Sequence, residues 1–127
     1  EIPSAAPAFP DDTDLLIVML GTNDLLQGRS PEQAVERLER FLTSISLDRI
    51  GILLIAPPPV TLGEWVPSPQ LINDSRAFAR LCQGLAKRMG IRFANAGKWD
   101  ISLAYDGVHF TEQGHRAFAT GLLEELR

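Results

Sequence analysis

The stretch DLLIVML at residues 14–20, followed by GTND at residues 21–24, decides the fold. It is apolar without alternation, as suits a short strand buried on both faces of a parallel sheet. It stops at Gly21, and residues 21–24 read as a polar loop at the strand's C-terminal end. Residues 50–56 (IGILLIA) repeat the pattern and are halted by Pro57-Pro58-Pro59, since proline cannot donate to a ladder. Residues 91–96 read as a third strand, with Gly97 after it.

Helices separate these strands. Ser30-Pro31-Glu32-Gln33 is a helix start: Ser30 caps, Pro31 fits the first turn and Gln33 completes a capping box. Val35, Leu38, Leu42 and Ile45 then recur at helical spacing, with the end expected near Ser46. Residues 71–89 carry a second stripe, Phe78, Leu81, Leu85 and Met89, and Gly90 is a stop. Thr111 caps a third helix in which Phe118, Leu122 and Leu126 face inward. Residues 57–69, with five prolines and Trp65, form a long ordered loop of the kind that often carries function. Residues 1–13, with Pro3, Pro7 and Pro10, read as a loop or linker. Strand and helix alternate three times, which predicts an α/β chain with a parallel sheet in a three-layer α/β/α arrangement.

If the three strands lie side by side in chain order, right-handed crossovers place the first two helices on one face of the sheet and leave the last helix alone on the other. Both leading strands are apolar on both sides, so part of the second face stays wet and one sheet edge is an apolar strand. Doubly wound folds avoid this with a βαβ unit running the other way from the first strand. Residues 14–127 are therefore read as the C-terminal portion of one larger domain.

Composition narrows the class. A chain of 127 residues is one domain, and 45% apolar with 22% charged residues excludes wholesale disorder. Twelve basic residues against sixteen acidic ones, the basic ones scattered, exclude a nucleic-acid groove. No apolar run reaches the roughly 18 residues of a membrane span. Cys82 is the only cysteine, so no disulfide forms within the chain, and a buried inert thiol is expected. The first ten residues lack the positive start of a secretory leader, which places a cytoplasmic location ahead of a secreted one.

Two motifs can carry chemistry. In Asp106-Gly107-Val108-His109 a carboxylate three residues before an imidazole can accept from one ring nitrogen and leave the other free as a base. That spacing alone also fits a surface or capping role. Asn23 sits where a parallel strand ends, and its amide can donate to a developing oxyanion. Asn23 and Asp24 equally fit a simple turn. Both motifs fall at one rim of the sheet. Asp24, Asp106 and His109 match no zinc spacing, so neither metal nor cofactor is expected. His115, early in the last helix, suits a surface or packing role.

Leu-Gly-Thr-Asn-Asp (20–24), Ala-Pro-Pro-Pro (56–59) and Asp-Gly-Val-His-Phe-Thr (106–111), in this order, resemble the SGNH (GDSL) hydrolases, closest to their arylesterase and acetylesterase branch. The resemblance implies a five-stranded parallel sheet between helices, with His109 as catalytic base, Asp106 as its acid partner and Asn23 as oxyanion donor. It implies that Gly21, with Thr22 and Asp24, forms the supporting loop. Pro58 and Trp65 are candidates for the substrate pocket, and Trp99 lies in a loop near the cleft or simply packs. The family's nucleophile follows the first strand in a Gly-Asp-Ser loop, which this sequence lacks: its serines are at 4, 30, 44, 46, 68, 75 and 102. The implied activity is hydrolysis of small-molecule carboxylic esters (short acyl, aryl or sugar acetyl esters) through an acyl-enzyme. The implied partner is the N-terminal remainder of the domain, bearing the serine, or a second copy of the chain; alone, the chain is expected to be inactive. The alternatives are a non-catalytic binding module that keeps the Asp–His pair, and a flavodoxin-like regulatory domain.

Overall fold

Each apolar run forms a strand and each capped, periodic segment a helix in the computed structural model, which describes residues 2–4, 8–45 and 50–127. The order is β1 (Leu15–Val18), α1 (Thr22–Leu26), α2 (Pro31–Thr43), β2 (Gly51–Ala56), α3 (Pro69–Met89), β3 (Arg92–Asn95), a 3-10 turn (Ala96–Lys98) and α4 (Glu112–Leu126). The sheet is parallel with strand order β1-β2-β3. Leu15 pairs with Gly51 and Val18 with Leu54, while Leu53 pairs with Arg92 and Ala56 with Asn95.

The capping box is formed: Ser30 Oγ accepts from the Gln33 amide at 3.1 Å, and Gln33 Oε1 accepts from the Ser30 amide at 2.9 Å. Thr111 caps α4, its hydroxyl accepting from the Gly114 amide at 3.0 Å. Gly90 ends α3 in the left-handed region, with φ 67°.

Four details differ from the sequence reading. First, residues 22–26 are a single helical turn, not a loop. Gly21 redirects the chain at φ 124°, and Leu25, 3% exposed, anchors the turn in the core. Second, α2 ends at Thr43, where Ser44 Oγ donates to the Phe41 carbonyl at 2.6 Å; the expected end at Ser46 lies outside the described residues. Third, the buried line of α3 runs Ser75, Phe78, Cys82, Leu85. Leu81 is only half-buried, one position and so about 100° around the helix from Cys82. Fourth, Leu126 is 43% exposed. Arg92 at the start of β3 donates to the Glu125 carbonyl at 2.6 Å, so the last turn of α4 has reached the end of the edge strand and has no sheet left to cover.

The two faces are unequal. Val18, Ile52, Leu54 and Ala56 meet Leu38 and Leu42 of α2 and Phe78 and Leu85 of α3 in one buried cluster. Leu53, Ile55, Ala94 and Ala96 form the other cluster, covered by Trp99, Ile101, Phe118 and Leu122, which are themselves only partly buried. Ile17, on that second face of β1, remains 40% exposed. A fully buried side chain of this size contributes about 2 kcal/mol by area, so most of the stabilising burial lies on the first face. Among the described residues no helix is long and apolar enough to cross a membrane.

Candidate active site

Residues 102–111 double back on themselves before α4. Leu103 bridges Phe110 antiparallel, Ala104 N donates to the His109 carbonyl at 2.7 Å, and Thr111 N donates to the Ser102 carbonyl at 3.1 Å. Asp106 sits at the tip, buried. Its Oδ1 accepts from the amides of Val108 at 2.8 Å and His109 at 2.9 Å, and its Oδ2 lies 2.6 Å from His109 Nδ1. These backbone N–H groups, the Val108 amide foremost, hold the Asp106 carboxyl below its usual value of 3.8, and the His109 imidazole adds to them. An ionised carboxylate can only accept, so the proton on the imidazole belongs on Nδ1. Nε2 then carries the lone pair. The ring is 61% exposed, so Nε2 is free to act as a base.

The proline-rich loop holds this tip in place. Thr61 N donates to the Gly107 carbonyl at 3.0 Å, Glu64 N to Tyr105 at 3.1 Å and Trp65 N to Asp106 at 3.0 Å. Gly107 has φ 82°, and a Cβ there would run into the Thr61 carbonyl, so only glycine fits. The Trp65 ring stands edge-on to His109, with centroids 4.9 Å apart at 76°.

Asn23 is presented differently. Gly21, at φ 124°, lies against the Phe78 ring of α3, which occupies the space a Cβ would take. The turn then sends Asn23 outward and Asp24 inward, where Asp24 is fully buried. Asp24 Oδ2 meets Arg37 Nε of α2 at 2.7 Å and an Arg29 nitrogen at 3.6 Å. Asp24 Oδ1 accepts from the Ile2 amide at 3.2 Å, and Arg37 also donates to the Ile2 carbonyl at 3.0 Å. Ile2, 2% exposed, is thereby tied to the turn.

These elements enclose a cleft of about 330 Å³. Gly21, Thr22, Asn23, Pro58 and His109 line it, so most of the residues singled out in the sequence meet there. Asp106 is in contact with His109, Asp24 points into the core, and Trp65 touches His109 without lining the cleft. Sequence reasoning missed Phe110 and His115, which also line it. Thr111 as cap fixes His115 one turn into α4, its amide bonded to the Thr111 carbonyl at 2.9 Å, and that spacing was the available signal. Trp99 packs edge-on against Phe118 in the second core cluster. Cys82 is buried, and burial pushes its thiol up to about 12. Ser30, Ser44, Ser75 and Ser102 are engaged in local hydrogen bonds, and among the described residues no serine lines the cleft. Nor do the described residues hold a group of three or more His, Cys, Asp or Glu side chains able to bind a metal.

The chain is similar in structure to the aryl esterase of M. smegmatis, at 30% identity and a TM-score of 0.76, over 90% of this chain and 60% of that one. It is similar to a carbohydrate acetylesterase family member from Sinorhizobium meliloti at 25% identity and a TM-score of 0.79, again over 90% and 60%. A further carbohydrate acetylesterase from Sinorhizobium meliloti shares the fold at 22% identity and a TM-score of 0.76, over 89% and 60%. The chain thus spans about 60% of the length of these proteins. No curated protein sequence matches it. The family profile of the GDSL-like lipases and acylhydrolases matches residues 1–117. With that match over nearly its whole length, and an aspartate–histidine pair and an asparagine at one cleft, the chain belongs to the GDSL-like lipase/acylhydrolase family.

Proposed function

We propose that this chain supplies the base, its orienting acid and one oxyanion donor of a serine ester hydrolase. The observation that carries the reading is the 2.6 Å Asp106 Oδ2–His109 Nδ1 contact at a cleft shared with Asn23. The nucleophilic serine comes from a segment outside residues 1–127. Two observations support this: no serine of the described residues lines the cleft, and β1, with Ile17 exposed, has a strand on one side only among the described residues.

In the reaction, the serine hydroxyl attacks the ester carbonyl and passes its proton to His109 Nε2. Asp106 faces the resulting imidazolium through Nδ1–H. The carbonyl oxygen becomes an oxyanion and accepts from the Asn23 amide. On collapse, His109 returns the proton to the departing alcohol, leaving the acyl-enzyme. His109 then takes a proton from water, hydroxide attacks the acyl carbon, and the acid and free serine are released. The cleft volume suits short acyl groups on aryl or sugar alcohols. The aryl and carbohydrate acetyl esterases that share the fold support the same substrate class.

The test is hydrolysis of p-nitrophenyl acetate by the full protein and its variants. His109→Ala is expected to lower kcat by about 10⁴-fold or more, and Asn23→Ala by about 10²–10³-fold. Unchanged turnover in His109→Ala overturns the assignment. Absence of turnover in the unsubstituted full protein supports a non-catalytic binding module instead.

A further inference from the structure

A second cleft, of about 250 Å³, lies on the other side of the proline segment: Pro58 and Val60 line the reaction cleft, whereas Pro59 lines this one. Its remaining walls come from α3 (Arg76, Ala79, Arg80 and Gln83) and from the end of β3 with its following turn (Asn95, Gly97 and Lys98). Three cations converge there, and no carboxylate is among the lining residues.

The arrangement stands out in an acidic chain with net charge −4. Elsewhere the arginines among the described residues are engaged: Arg29 and Arg37 with Asp24, Arg40 with Glu36, Arg88 with Glu39, Arg116 with Glu112, Arg127 with Glu124, and Arg92 with the Glu125 carbonyl. Arg76, Arg80 and Lys98 have no acidic partner among the described residues. Arg76 and Arg80 are one helical turn apart on one face, and Lys98 opposes them from another element. The side-chain amides beside them can donate as well. Asn95 Oδ1 is taken by the Gly97 amide at 2.9 Å, which leaves the Asn95 NH₂ to donate.

We propose that this cleft is a binding site for a phosphate group. Three positive charges match the roughly −1.5 to −2 charge of a phosphate monoester better than a single carboxylate. Two guanidiniums are suited to bidentate contact with phosphate oxygens. The cleft holds one such group, with Pro59 and Ala79 as an apolar wall for what it is attached to. The phosphate is free or belongs to a lipid headgroup. The proposal stands independently of ester hydrolysis.

The experiment is an NMR titration of the full protein with inorganic phosphate, with sodium chloride at matched ionic strength as control. Beside it runs co-sedimentation with phosphatidylcholine vesicles with and without phosphatidic acid. A free phosphate ligand gives saturable shifts at the Gly97 amide and the Arg76 and Arg80 Nε–H groups, and Arg76→Ala/Arg80→Ala weakens binding about tenfold or more. A lipid headgroup gives retention on phosphatidic acid vesicles alone, lost in the same variant. Lys98→Met, on a separate element, weakens either response without touching α3. His109→Ala leaves both unchanged, so a failed hydrolase assignment and a failed phosphate site are told apart. No response to either probe, or a response indifferent to Arg76→Ala/Arg80→Ala and to Lys98→Met, overturns the proposal.

Discussion

The turn that presents Asn23 and the loop that presents His109 meet at one cleft, yet they are held by opposite means. Asn23 is held from behind by charge: Asp24, fully buried, is locked to Arg37 at 2.7 Å. His109 is held by main chain: Asp106 is stabilised by two amides, and the loop around it is clasped by amides of Thr61, Glu64 and Trp65. The difference suits what each group does in the proposed reaction. An oxyanion donor must be rigid, and a carboxylate beside it would repel the developing charge. Turning Asp24 into the core and pairing it with arginine removes that repulsion. A base needs the reverse, an ionised carboxylate facing it. Steadying Asp106 with amides instead of an arginine leaves its full negative charge directed at Nδ1.

The largest expected effect breaks the second support. Asp106→Asn keeps an acceptor for the main chain but removes the charge and permits the wrong imidazole tautomer. It should lower kcat/KM for p-nitrophenyl acetate by about 10³–10⁴-fold with the fold intact by circular dichroism. The first support should show the reverse pattern. Asp24→Asn leaves the partly buried Arg37 without its countercharge, and should cost about 1–3 kcal/mol of stability in chemical denaturation. Its effect on turnover, assayed where the variant is folded, should be smaller than that of Asp106→Asn. If Asp24→Asn proves as stable as the parent, the buried pair is not what holds the turn.

The smallest effect sharpens the contrast through pH. The folded-state pKa of Asp106 is depressed, so its stabilising contribution is complete above the unfolded value near 3.8 and is lost as pH falls through the lower folded value. The stability difference between the parent and Asp106→Asn should therefore be flat above about pH 5 and shrink below 3.8. A difference that persists unchanged into strong acid would mean the carboxylate charge is not what the amides stabilise.

What the sequence made legible was local. The apolar runs, the Ser30–Gln33 capping box and the Thr111 cap depend on neighbours within a few residues, and each formed where it was read. The two unequal faces followed from crossover handedness for strands lying in chain order, and the 40% exposed Ile17 lies on the face expected to stay wet. Asn23, Asp106 and His109 stood out because they sit in short motifs, and the fold gathers them: Asn23 and His109 line one cleft and Asp106 contacts His109. The features missed were distant ones. The turn at residues 22–26 relies on Gly21 packing against Phe78, the burial of Asp24 relies on Arg37 and Ile2, and the clasp on the Asp106 loop joins residues 61–65 to 105–107. No periodicity encodes such pairings. On α3 the buried line runs through Cys82 and not Leu81, in keeping with the buried thiol expected there, since cysteine is among the most readily buried side chains.

Covalent labelling of the full protein with a fluorophosphonate ester, followed by peptide mapping of parent and His109→Ala, tests most directly whether this chain supplies the base and another segment the nucleophile. The expected result is one labelled serine outside residues 1–127, no label on Thr22 or on any serine within them, and labelling that collapses in His109→Ala. A label on a residue of this chain, or labelling that proceeds at the parent rate in His109→Ala, would contradict it.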